Sequence, residues 1–112
     1  MDPILKRLRE ILSVPGDRVG KARRISAAIR ETCGYRWVGI CEVLPEGIGV
    51  MAWSGPTPGS EIAVPVLGAT AGQVVGLLQV ETEAPGAFGE EDRRRLEACA
   101  ALLGPLMGVT SG

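Results

Sequence analysis

The chain has 112 residues, 46% of them hydrophobic and 22% charged, with a formal net charge of −1. This is the material of one small domain over residues 1–112, with one core and no global field to draw in nucleic acid or an acidic membrane. The absence of histidine excludes serine or cysteine nucleophiles activated by it, and three widely spaced cysteines argue against a disulfide framework and a zinc site.

No apolar run approaches the roughly 18 residues of a spanning helix. The opening "MDPILKRLRE" is acidic and then amphipathic, unlike a signal peptide. A cytoplasmic protein is expected, with no membrane contact, no nucleic-acid partner, no metal and no cofactor.

Asp2-Pro3 reads as an N-cap followed by proline at the first helical position. Ile4, Leu5, Leu8, Ile11 and Leu12 then form one apolar helical stripe, which "SVPG" (Ser13–Gly16) stops. Asp17 caps a second helix whose apolar face is Ala22, Ile25, Ile29 and Cys33, with Gly34 as its stop. Arg18, Lys21, Arg23, Arg24 and Arg30 lie mostly on the opposite, solvated side.

At Tyr35 the period changes from helical to alternating. "YRWVGICEV" (Tyr35–Val43) reads as a strand, and "PEG" (Pro45–Gly47) as a tight turn into "IGVMAWS" (Ile48–Ser54). "GPTPG" is a break, and "SEIAVPVL" (Ser60–Leu67) is a third strand. Pro65 marks it as an edge strand, because proline cannot donate to a ladder. "GATAG" turns into "QVVGLLQVE" (Gln73–Glu81), the fourth strand. Glu90, Glu91 and Asp92 suit a helix N-terminus, and Leu96, Cys99, Ala100, Leu103, Leu106 and Met107 give the last stripe. The expected fold class is α+β: an antiparallel sheet of about four strands with helices on one face, in the order α-α-β-β-β-β-α.

Alternation sorts the strands into two faces. Val38, Ile40, Ile62, Val64, Val66, Val74, Leu78 and Val80 should meet the helices. The other face carries Trp37, Gly39, Cys41, Val43, Glu61, Ala63, Pro65, Val75, Leu77, Gln79 and Glu81. No element is left over to cover it, so it reads as an open ligand floor or an association surface. The segment "GSEIAVPV" places Glu61 at its mouth, either as a solvated edge charge or as a wall of the site.

"RWVGICEV", "SEIAVPV", "VVGLLQVET" and "AFGEEDRRRLEACAALL" resemble successive segments of a GAF domain. The likeness spans roughly Ile25 to Met107 and is closest to the free methionine-(R)-sulfoxide reductase branch. It implies a GAF-like sheet and a small-molecule site containing Trp37, Glu61, Gln79 and Glu81, with Cys41 on the same face. The chain departs from that branch where the insertion bearing the reactive cysteines shrinks to "SGPTPG", and where Ile40 and Cys41 replace expected aromatics. Ser54 or a neighbour stands where a cysteine would precede "SEI".

Three readings follow. The first is a non-catalytic sensory or binding module, with Trp37, Cys41, Glu61, Gln79 and Glu81 around the ligand. Glu61 and Glu81 would pair an ammonium, and Trp37 would stack on a cation. The second is a homodimer in which two copies cover each other's Trp37, Val75 and Leu77, with Pro65 and Trp53 near the rim. The third is retained sulfoxide reduction with Cys41 as the nucleophile, although no histidine or evident base lowers its pKa. Cys33 and Cys99 sit on helical stripes as inert core residues. Arg93, Arg94 and Arg95 spread around a helix behind three acids and make no nucleic-acid patch.

Overall fold

The computed structural model describes residues 3–56, 62–68, 73–82 and 88–107. Helix α1 (Pro3–Ser13) buries Ile4 and Leu8, while Leu5, Ile11 and Leu12 pack partly buried against the same core. The expected cap at Asp2 lies outside the described residues.

Helix α2 (Arg18–Cys33) begins where the Asp17 carboxylate accepts from the Gly20 amide at 3.3 Å. It ends at Gly34, whose φ of 75° turns the chain left-handed while its amide bonds back to the Arg30 carbonyl. Ser26, inside the buried face, satisfies its hydroxyl by donating to the Ala22 carbonyl at 2.9 Å. The basic side of α2 is less free than its pattern suggests. Arg18 pairs with Glu42 at 3.0 Å, Lys21 donates to the Leu12 carbonyl, and Arg30 to that of Arg36.

Four strands follow: β1 (Trp37–Leu44), β2 (Gly47–Ser54), β3 (Ile62–Leu67) and β4 (Val74–Glu81). They form one antiparallel sheet in the order β2-β1-β4-β3. Pro65 is on an edge strand, as its missing amide requires. Helix α3 (Glu90–Ala101) starts with Glu90, Glu91 and Asp92 in its first turn, and Asp92 accepts from the Gly89 amide. The helix is shorter than its apolar stripe. Gly104-Pro105 turns the chain into a 3-10 segment, yet Leu103, Leu106 and Met107 still reach the core.

The core lies between one sheet face and the three helices. Val38, Ile40, Val64, Val66, Leu78 and Val80 are buried there, as alternation requires, and Ile62 packs partly buried beside them. One pair departs from the expected pattern. Val74 is exposed and Val75 is in the core. The register slips between Val66, which pairs with Gly76, and Leu67, which pairs with Val74. Val75 is therefore the extra residue of a β-bulge, and the bulge exchanges the faces of the residues before it. A second bulge in β2 faces Ile40/Cys41 and turns both Met51 and Ala52 inward.

Tyr35 lies before the sheet, not within it. It is buried among the core side chains, and its hydroxyl donates to Asp92 Oδ1 at 3.0 Å, tying the start of β1 to the start of α3. Burial pushes its pKa far above the ordinary value of 10.0, and the Asp92 carboxylate reinforces the shift.

Candidate functional site

The pairing registers place the outer face row by row, because directly paired residues share a face. Trp53, Gly39, Gln79 and Ala63 form one row across the sheet, and Val50, Cys41, Leu77 and Pro65 the next. Trp37 and Glu81 pair beyond the first of these rows.

Trp37 is a buried side chain lying outside the main core cluster. Its indole extends along the strand over Gly39. A Cβ built on Gly39 would come 2.2 Å from Trp37 Cη2 and 2.8 Å from Cζ2 and Cζ3. The triplet "WVG" is thus a packing unit, in which the missing side chain two residues on is the bed of the ring. Gly55 closes the other side. A Cβ there would stand 2.5 Å from the Arg36 carbonyl oxygen and 3.0 Å from Trp37 Cδ1, and its φ of 133° suits glycine alone.

The indole Nε1 is buried and has no hydrogen-bond partner among the described residues. A buried donor left unpaired costs about 1–3 kcal/mol, so the position favours any acceptor that can reach it.

Cys41 is also buried, and its thiol donates to Gln79 Oε1 at 3.3 Å. Desolvation raises its pKa above the usual 9.0. The thiol is thereby kept protonated at neutral pH, the opposite of what a nucleophile needs. Cys99 is buried and Cys33 half-buried, and all three cysteines are thiols outside any disulfide.

Glu81 carries a partner that its strand pattern does not reveal. Its carboxylate is 3.4 Å from Arg36 Nε, and its carbonyl accepts from the Arg36 amide at 2.8 Å. Both side chains keep substantial exposure, so the ion pair is one a ligand could compete with.

The structure therefore brings together Trp37, Cys41, Gln79 and Glu81 on one face. Glu61 lies outside the described residues. The expected open floor is corrected at its centre. Trp37 and Cys41 are buried: the indole lies over Gly39 against the Gly55 backbone, and Cys41 stands on the central strand β1 with its thiol against the Gln79 side chain. Val75 leaves the face altogether through the bulge.

Arg36 and Gly55 were not among the candidates. Arg36 had a faint signal, a cation beside a tryptophan whose cross-strand partner is an acid. Gly55 had none, since its role depends on where the chain returns after β2. A cavity of about 210 Å³ also lies between β3 and α3, lined by Pro65, Phe88, Arg93 and Glu97 among others. Trp37, Cys41, Gln79 and Glu81 are not among its described lining residues. No group of three or more acidic or cysteine side chains that could hold a metal occurs among the described residues. No described helix is long and apolar enough to cross a membrane.

No protein-family model and no curated protein matches this sequence. Solved structures do match its fold. The GAF domain of the Acinetobacter phosphoenolpyruvate-protein phosphotransferase superposes with a TM-score of 0.76 at 17% identity, over 93% of this chain and 90% of that one. The free methionine-R-sulfoxide reductase of Neisseria meningitidis, solved with its substrate, gives 0.75 at 17% identity, over 93% and 86%. The fRMsr of Staphylococcus aureus, also with substrate, gives 0.77 at 13% identity, over 94% of each chain. The chain has a GAF-like fold, shared by sensory domains and by reductases.

Proposed function

We propose that this protein is a non-catalytic, GAF-like sensory or binding module of the cytoplasm that holds a small molecule beside Trp37 and acts as a homodimer. The observation that carries the reading is the buried indole Nε1–H, which has no partner among the described residues. A buried donor that the described residues leave unpaired suits a ligand with an acceptor oxygen. Glu81 adds a carboxylate that can leave Arg36 for a ligand ammonium, and Gln79 adds an amide next to it. A small zwitterion carries both complements.

The test uses free methionine-(R)-sulfoxide as the first probe and other free amino acids as controls. The indole N–H resonance of Trp37, assigned against Trp53→Phe, is expected to shift on titration, and Glu81→Gln to weaken binding about tenfold or more. An indole resonance that none of these probes moves at millimolar concentration counts against the reading.

Residual sulfoxide reduction is the second reading, favoured by the substrate-bound reductases among the structural matches. The buried, proton-retaining Cys41 weighs against it. Reductant-coupled turnover of free methionine-(R)-sulfoxide that disappears in Cys41→Ser would establish it.

A further inference from the structure

Ile48, Val50 and Trp53 are respectively 60%, 59% and 54% exposed, and Leu67 and Val74 stand out of the sheet with them. By register all five belong to the face turned away from the helices. They are joined across β1 and β4 by the half-buried Val43 and Leu77 and by the exposed Pro65. Bulky apolar side chains thus span the sheet in the rows beyond Gly39 and Gln79, and Trp53 extends them along the β2 edge.

We propose that this face is the dimer interface: two copies pack their sheets face to face through Ile48, Val50, Trp53, Leu67 and Val74, leaving the Trp37 site at the margin. The proposal rests on the homodimer named above and keeps Trp53, Pro65 and Leu77 of the surface that alternation suggests, while Trp37 and Val75 leave it because they are already buried within one chain.

Three features select a second copy as the occupant. The first is charge. Among the described strand residues, Glu81 alone places a charge on this face, and it is paired with Arg36. An uncharged face meets its own copy without like-charge repulsion, and offers nothing to choose an acidic or basic partner. The second is area. The five exposed side chains present on the order of 500 Å² of apolar surface. With their half-buried neighbours the face approaches the roughly 800 Å² per partner of a standard interface.

The third is the bulge opposite Ile40/Cys41 in β2. It turns Met51 and Ala52 inward together, so two copies of β2 cannot pair edge to edge with their apolar residues on one side. Face-to-face stacking at about 10 Å, as in a sandwich, is free of that conflict.

The test is sedimentation equilibrium of the full chain from about 1 to 500 μM, with a self-association constant on the order of 10 μM expected from an interface of this size. Val50→Lys, and separately Ile48→Lys, should weaken association at least tenfold while far-UV circular dichroism stays unchanged. Val14→Lys, on an exposed valine outside the sheet, should not. The emission of Trp53 should move to shorter wavelength as dimer forms, and Trp53→Phe should lose that change.

A wild-type chain that stays monomeric throughout overturns the proposal and leaves the face to another partner. A dimer indifferent to folded Val50→Lys and Ile48→Lys overturns it too, placing the contact on the helices. Titrating the Trp37 indole with free methionine-(R)-sulfoxide in the Val50→Lys chain separates failure of the ligand site from failure of the interface.

Discussion

Trp37 fills the volume that Gly39 lacks, and the two act as one unit. Gly39→Ala puts a methyl where the ring lies. The expected loss is about 1–3 kcal/mol of stability in urea unfolding, the cost of overpacking. In a Trp53→Phe background the remaining emission should shift to longer wavelength as the displaced indole meets water.

Tyr35 and Cys41 make the same scale of prediction for pH. Both have folded pKa values raised by burial, so each folded state holds a proton that the unfolded chain releases first. Their contribution is fully present below the unfolded values, 9.0 for the thiol and 10.0 for the phenol, and is lost as pH rises beyond them. Stability measured from pH 8 to about 11 should fall once pH passes roughly 9, and the fall above pH 10 should be shallower in Tyr35→Phe.

At the scale of the element, α2 shows local rules operating as written. Removing its cap in Asp17→Ala should cost about 1 kcal/mol in urea unfolding. β4 shows a local rule overridden. Its apolar run "VVGLLQV" alternates if the strand is regular, which would bury Val74 and expose Val75. The bulge reverses them. Val74→Thr is therefore expected to change stability by no more than about 0.5 kcal/mol, and Val75→Thr to cost about 1–3 kcal/mol by burying a hydroxyl in the core. The opposite order would show that the strand is regular after all.

At the scale of the whole molecule, one layer of sheet backed by helices leaves one face over. A chain of this length buries only part of its apolar surface by itself, and the proposed dimer would bury more. The urea midpoint should therefore rise with protein concentration from about 1 to 100 μM in the wild type, and stay constant in Val50→Lys.

The sequence by itself determined the order of elements, the edge position of Pro65, the capping of α2 and most of the core. Each of these follows from residues a few positions apart, through helical period, alternation or a side chain reaching its own helix end. It also set Trp37, Cys41, Gln79 and Glu81 on one face, since alternation within a strand is local too. Only the tertiary structure decided what those residues do there. The ring lying on Gly39 beneath Gly55, the Arg36–Glu81 pair, the thiol held by Gln79 and the Tyr35–Asp92 bond all join residues on different strands, loops or helices, or depend on a rotamer that packing selects. The bulge at Val75 belongs with them, because a strand slips by one residue in response to its neighbour, and no pattern confined to one strand records that neighbour.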